Sequence, residues 1–263
     1  MPSGPTSSTK ADIRVSPHPP GTKSEKTLIF RFLAVITLPF MTAVARYRIH
    51  DGHKLPASGA FVLSPNHYSE IDPVVIGVVM WKLGRMPRFL AKGSLFGLPV
   101  IGSLLRASGQ IPVERAGAVR GSDPLVAAQK ISDDGAAVVI YPEGSLTRDP
   151  DLWPMRGKGG AVRMALQAGI PVIPAAHWGT QKLMPRYGKR LSVFPRKTID
   201  IKFGDPVDLT EFRGVKLDAA TTAAATAKVM DAITALLEDL RGESAPAERW
   251  DPSKNNQKET GRF

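Results

Sequence analysis

The sequence predicts an α/β fold: a mostly parallel central sheet flanked by helices, preceded by a membrane-associated N-terminal helix. Three observations predict it. The chain has 263 residues, 43% apolar and 22% charged, enough for one domain of about 200 residues with a full core. From Tyr47 onward, short apolar runs alternate with helix-like segments. Near the start, Phe32 to Ala45 is apolar and uncharged, with Lys23, Lys26 and Arg31 before it and Arg46 and Arg48 after.

In order along the chain, residues 1–23 are rich in Pro, Ser, Thr and Gly and are expected to form a flexible arm, because they carry too few large apolar groups to offset their ordering entropy. Residues 24–46 form the helix. Fourteen residues rise only ~21 Å against ~30 Å of hydrocarbon, and Pro39 interrupts the run, so a helix lying in or dipping into one leaflet fits better than a span. Its basic flanks would then sit on anionic headgroups. Two other readings compete: a helix buried in the core, and a cleaved signal peptide ending near Ala43 and Ala45, against which the long stretch before Arg31 argues.

Residues 47–241 form the folded domain. Its runs include "AFVLS" (60–64), "PRFLA", "GQIPV", "AAVVIYPEG", "PVIPAAHWG" and "TIDIKFG" (198–204) as strands. A last helix from about Asp218 to Leu240 places Val229, Ile233, Leu236, Leu237 and Leu240 on one face. Residues 242–263 are polar and are expected to be a flexible tail. No internal repeat is present.

Lys and Arg outnumber Asp and Glu by 35 to 24, a formal charge of +11, so the surface should attract phosphates. Only 7% of residues are aromatic and no basic strand is interleaved with them, which argues against a nucleic-acid partner. The absence of cysteine excludes thiolate nucleophiles and Cys-type zinc sites.

The stretch "SPNHYSEIDP" (64–73) carries the clearest chemistry. Asp72 before Pro73 reads as a helix start, with Asp as N-cap, so "SPNHYSEI" is a loop leaving a strand at its C-terminal end. A turn between them lets His67 and Asp72 meet. The carboxylate can hold one imidazole nitrogen, leaving the other as a base aimed at a hydroxyl. The bland alternative is that Asp72 only caps and His67 only fills a loop. No G-x-S-x-G elbow exists, so a covalent acyl-enzyme is not suggested and the hydroxyl would belong to an acceptor.

Further sites follow downstream. "GQIPVERAG" leads a strand into Arg115, either a solvated surface group or a forked phosphate ligand. "YPEGSLTR" ends a strand with Glu143, Gly144, Ser145 and Arg148, where glycine lets backbone amides approach an anion. "RGKGGAVRMALQAG" lacks the Ser or Thr of a Walker A loop after Lys158 and serves at most as an anion-attracting helix start. In "IPVIPAAHWG", Pro171 and Pro174 suggest an edge strand or a strand margin, and His177 reads as structural. His50 and His53 are three apart but have no third metal ligand nearby in sequence, so no metal is expected.

Taken in order, "NHYSEID", "GQIPVER", "YPEGS" and "IPVIPA", with Lys92, Leu95, Phe96 and Pro99 of "AKGSLFGLPVIG", resemble the blocks of the glycerolipid acyltransferase family. That family includes lysophosphatidic acid and glycerol-3-phosphate acyltransferases. The resemblance implies that His67 takes a proton from the acceptor hydroxyl, Asp72 orients it, and the oxygen attacks an acyl thioester. Acyl-CoA or acyl carrier protein would be co-substrate and no cofactor would be needed. Arg115 and the Glu143–Gly144 loop would hold a phosphate, Pro174 would shape the acyl side, and Asn66, Ser69, Lys92 and Ser145 of the same blocks would contact substrate. The family usually has Glu-Gly-Thr-Arg where this chain has Glu143, Gly144, Ser145 and Leu146, so Arg148 or Lys158 would take over the phosphate contact. The implied partners are a membrane lipid acceptor and an anionic surface at the cytoplasmic face of the plasma membrane. A non-catalytic basic membrane-binding protein is the alternative of a different class.

Overall fold

The computed structural model describes residues 25, 27–113 and 124–258. The expected arm, residues 1–23, lies outside the described residues, as does Arg115.

The first helix, α1 (Leu28–Val44), leads directly into β1 (Ala45–His50). Then follow β2 (Phe61–Pro65), α2 (Asp72–Lys82), β3 (Pro87–Lys92), α3 (Pro99–Ala107), β4 (Ile111–Val113), α4 (Pro124–Asp133) and β5 (Ala137–Val139). The chain continues through α5 (Gly160–Ala168), β6 (Val172–Trp178), the single turn α6 (Thr180–Leu183), β7 (Lys197–Phe203) and α7 (Ala219–Arg241).

The seven strands form one sheet in the order β1-β7-β6-β2-β5-β3-β4. All pairings are parallel except β6 with β7. Parallel strands covered on both faces read as unbroken apolar runs, and β2 is buried at every position. The α1–α2 side of the sheet is sealed by Met41, Val44, Phe61, Leu63, Val75, Val79 and Phe203. Behind the sheet, Val62, Val138, Val162, Val172, Val229 and Ile233 form a second layer.

α7 follows its sequence pattern. Asp218 caps it by accepting the Thr221 amide at 2.8 Å, and Gly242 at φ +66° ends it. Val229, Ile233 and Leu237 are buried, whereas Leu236 and Leu240 are only partly covered beside Trp153 and Trp178.

Three expectations change. Pro174 does not sit on an edge: β6 lies between β7 and β2, with Pro174 paired to Ser64. The proline is tolerated because the β7 ladder begins only at Ala175, so the missing N–H falls at that ladder's end. The 242–258 stretch is tied to the body: the Arg156 amide donates to the Trp250 carbonyl at 2.8 Å, and Arg249 pairs with Asp231. The competing reading of α1 as a helix buried in the core holds for one face alone. Phe30, Ala34, Met41 and Val44 are buried, while Leu28, Phe32, Val35, Ile36 and Phe40 are exposed. Among the described residues no helix is long and apolar enough to cross a membrane.

Candidate active site

β2 ends at Pro65 and releases the loop that carries His67 to α2. His67 Nδ1 lies 3.0 Å from Asp72 Oδ2. Asp72 is fully buried, which acts to raise its carboxyl, but the nearby His177 and His67 rings and the Thr180 hydroxyl overcome burial and hold it below the usual carboxylate value. Burial pushes His177 down, towards the neutral ring, so the stronger support for the anion is its set of hydrogen-bond donors. An ionised carboxylate only accepts; Nδ1 must therefore donate, which leaves Nε2 of the neutral His67 ring without a proton and able to accept one.

The expectation that Asp72 caps α2 is corrected. Its side chain makes no cap bond to the helix. Instead Oδ2 turns back and accepts the amides of Tyr68 and Ser69 at 2.9 and 2.8 Å, and Oδ1 accepts the Thr180 hydroxyl at 2.7 Å. The bland reading of the Asp-Pro pair therefore fails on geometry.

Asn66 and Ser69, expected to contact substrate, are buried and brace the loop. The Asn66 side chain exchanges two hydrogen bonds with the His177 backbone, at 3.1 and 2.9 Å. The Ser69 hydroxyl donates to the Met184 carbonyl at 2.6 Å. Tyr68 adds a bond from its hydroxyl to the His177 carbonyl at 2.9 Å. His177 is structural as expected, bonding the Asn66 carbonyl through Nε2 at 2.9 Å.

Glu143 does not face a substrate phosphate, and a carboxylate would repel one. It is buried beneath the His67–Asp72 loop, where its oxygens accept the His67 amide at 2.8 Å and the Met155 amide at 3.0 Å. Burial wins over these bonds and pushes its carboxyl up to about 8. Arg148 is also corrected: it is 1% exposed and turned toward the Tyr187 hydroxyl, away from the cavity. Pro174 lies against Gly204 and lines no part of the cavity. Gly144, Ser145, Lys158 and Lys92 do line it.

That cavity is an open cleft of about 1380 Å³. Its apolar wall comes from α1, α2 and α3, including Leu33, Leu38, Val74, Trp81, Ile101 and Leu105. Its polar wall comes from Gly144–Ser145, Gly157–Gly160, Arg163 and the start of α7. His67 lies on the cleft, with its ring stacked on Tyr141 at 4.0 Å. Sequence reading missed Tyr68, Thr180, Arg163 and Thr222 as residues of this region. Thr180 stands 108 positions from Asp72 in the chain, so no local signal could have paired them.

His50 bonds Asp200 through Nε2 at 2.9 Å rather than joining His53. Among the described residues no group of three or more His, Asp or Glu is placed to hold a metal ion.

Residues 46–178 match the family model described as Acyltransferase. The chain belongs to the acyltransferase family. This acyltransferase is 33% identical over 132 residues to the Brassica napus chloroplastic 1-acyl-sn-glycerol-3-phosphate acyltransferase BAT2, covering 50% of this chain and 37% of that one. It is 28% identical over 187 residues to the Bacillus subtilis 1-acyl-sn-glycerol-3-phosphate acyltransferase, covering 70% and 85%. Among solved structures it shares the fold of the Thermotoga maritima 1-acyl-sn-glycerophosphate acyltransferase PlsC, with a TM-score of 0.57, 21% identity and coverage of 84% and 83%. The chain thus spans about a third of the plant relative's length and most of the bacterial one's.

Proposed function

We propose that this acyltransferase moves a fatty acyl group from a thioester, acyl-CoA or acyl carrier protein, to the hydroxyl of 1-acylglycerol-3-phosphate, forming phosphatidic acid. The observation that carries this reading is the 3.0 Å His67–Asp72 pair placed on a cleft with an apolar wall and a basic one. Such a cleft exceeds the ~300–1,000 Å³ usual for one small ligand and suits a fatty chain beside a phosphorylated headgroup.

The chemistry needs no covalent enzyme intermediate. His67 Nε2 takes the proton as the acceptor oxygen bonds to the thioester carbonyl carbon. The tetrahedral intermediate then collapses, the carbon–sulfur bond breaks, and the departing thiolate takes from the imidazolium the proton that came from the acceptor hydroxyl. Asp72 holds the ring and balances its positive charge between these two transfers. The relatives named for 1-acylglycerol-3-phosphate support this acceptor over glycerol-3-phosphate, another lysophospholipid or a glycolipid.

The exposed apolar face of α1 would seat the enzyme on an anionic lipid surface, the cytoplasmic leaflet of the plasma membrane, and let a lysolipid enter without leaving the interface. The test is thiol release from acyl-CoA across the four acceptor classes. His67→Ala should lower transfer about 10²–10⁴-fold while the protein still melts in one cooperative transition. Wild-type turnover in that variant would remove the base assignment.

A further inference from the structure

We propose that residues 189–196, in the loop between α6 and β7, form a second contact with an anionic bilayer, one that sets the His67 edge of the sheet against the lipid. The contact extends the membrane reading given above for α1 and does not depend on the acyl-transfer chemistry.

The loop presents an apolar tip. Phe194 is 88% exposed, Val193 is 45% exposed and Pro195 also lies on the surface. A lone exposed side chain would carry no argument, but this tip is held out by the residues on either side of it. Before it, the Ser192 amide donates to the Leu183 carbonyl at 2.8 Å, and Leu191 packs on the core beneath α1 and α2. After it, Arg196 donates through Nη2 to the Ala45 carbonyl at 3.1 Å, where α1 passes into β1. The tip is thus fixed beside the end of α1, whose Phe40 is itself exposed.

The charge around the tip has one sign. From Lys182 to Ile199 the chain carries Lys182, Arg186, Lys189, Arg190, Arg196 and Lys197, and no Asp or Glu. Arg186 turns inward onto the Thr147 and Asp149 carbonyls, whereas Lys189, Arg190 and Arg196 are exposed, as is Arg46 on the neighbouring β1. Burial and then the charge of Arg196 push the Lys82 ammonium down, so Arg196 and Lys82 repel each other. Of the acids bordering this stretch, Glu70 accepts the Tyr187 amide and Asp200 pairs with His50. Lipid phosphates would complement these cations while the tip enters the apolar layer below them.

Strand direction places the loop. β6 is parallel to β2 and antiparallel to β7, so β7 starts at the edge of the sheet where β2 ends and releases His67. A bilayer needs no shaped pocket to accept Phe194, and it would meet the exposed face of α1 at the same time.

Because the chain has no cysteine, Phe194→Cys supplies a single labelling site for an environment-sensitive nitrobenzoxadiazole dye. On vesicles of phosphatidylcholine and phosphatidylglycerol, that dye on the full chain should brighten, shift to the blue and be quenched by spin labels on the acyl chains. The same dye on Lys130→Cys should stay water-like, since Lys130 lies near the end of α4 that feeds the opposite edge of the sheet. Phe194→Ala and Arg190→Glu should each lower partition onto these vesicles about tenfold or more, and Lys130→Glu, an equal change of charge, should leave it unchanged. All these side chains are exposed, and melting curves check that each variant folds. A dye at position 194 that stays water-like, or unchanged partition in both loop variants, overturns the contact. It does so even where Phe32→Asp with Ile36→Asp abolishes binding, a result that would leave α1 as the anchor. Binding of an acidic protein such as acyl carrier protein that is lost in Arg190→Glu, with vesicle partition unchanged, would overturn it as well.

Discussion

Asp72→Asn separates the charge of the carboxylate proposed to orient His67 from its shape. Oδ2 accepts two backbone amides and the His67 ring, while Oδ1 meets the Thr180 hydroxyl. An asparagine can satisfy this only one way round. Its amide oxygen must occupy the Oδ2 position, since two N–H donors cannot face an NH₂ group, and its nitrogen then donates to Thr180 Oγ1. The His67 ring keeps an acceptor on Nδ1 and hence the tautomer needed for Nε2 to act as base. Only the charge is lost. Exchanging a charge-assisted bond for a neutral one costs about 1–1.5 kcal/mol, and an imidazolium near a carboxylate gains about 4 kcal/mol at an effective dielectric of 20. The expected fall in kcat/KM is therefore about 10- to 1,000-fold. Asp72→Ala instead strands two buried amides and the Thr180 hydroxyl, at about 1–3 kcal/mol each, so it should also lower the melting temperature by several degrees. The assay is thioester turnover paired with thermal melts of both variants. An Asn variant as unstable as the Ala variant, or one with wild-type kcat/KM, would refute the reasoning.

Glu143 governs a pH dependence of stability. Its folded pKa of about 8 lies above the ordinary 4.5, so the unfolded chain ionises first and stability falls as pH rises through that window, by up to ~1.4 kcal/mol per unit. Denaturant melts from pH 5 to pH 9 should show this slope in the wild type and its loss in Glu143→Gln; parallel profiles would contradict it. Phe32→Asp with Ile36→Asp should weaken sedimentation with anionic vesicles at least tenfold without lowering the melting temperature, because both side chains are more than half exposed. Gly144→Ala should cost about 1 kcal/mol or more in stability from the left-handed backbone and raise the KM for the phosphorylated substrate by displacing Lys158. Unchanged kinetics would show that Gly144 does not position Lys158 for a phosphate.

The sequence by itself determined the α/β alternation, the last helix, the loop holding His67 and Asp72, and the block order from which the family could be read. These are local signals: a strand period, a cap, a turn between two titratable groups. Tertiary structure decided what each polar side chain does. Asn66, Ser69, Glu143 and Arg148 look like ligands in a motif, yet burial and the partners they meet direct them inward, and Thr180 reaches Asp72 only because β6 lies beside β2. The turn of α1, with one apolar face packed and the other exposed, was equally invisible in a run that is apolar all round. The physical reason is range: hydrogen-bond partners of a buried polar group are chosen by strands and helices that meet across the sheet, and the spacing of residues along the chain carries no record of that meeting.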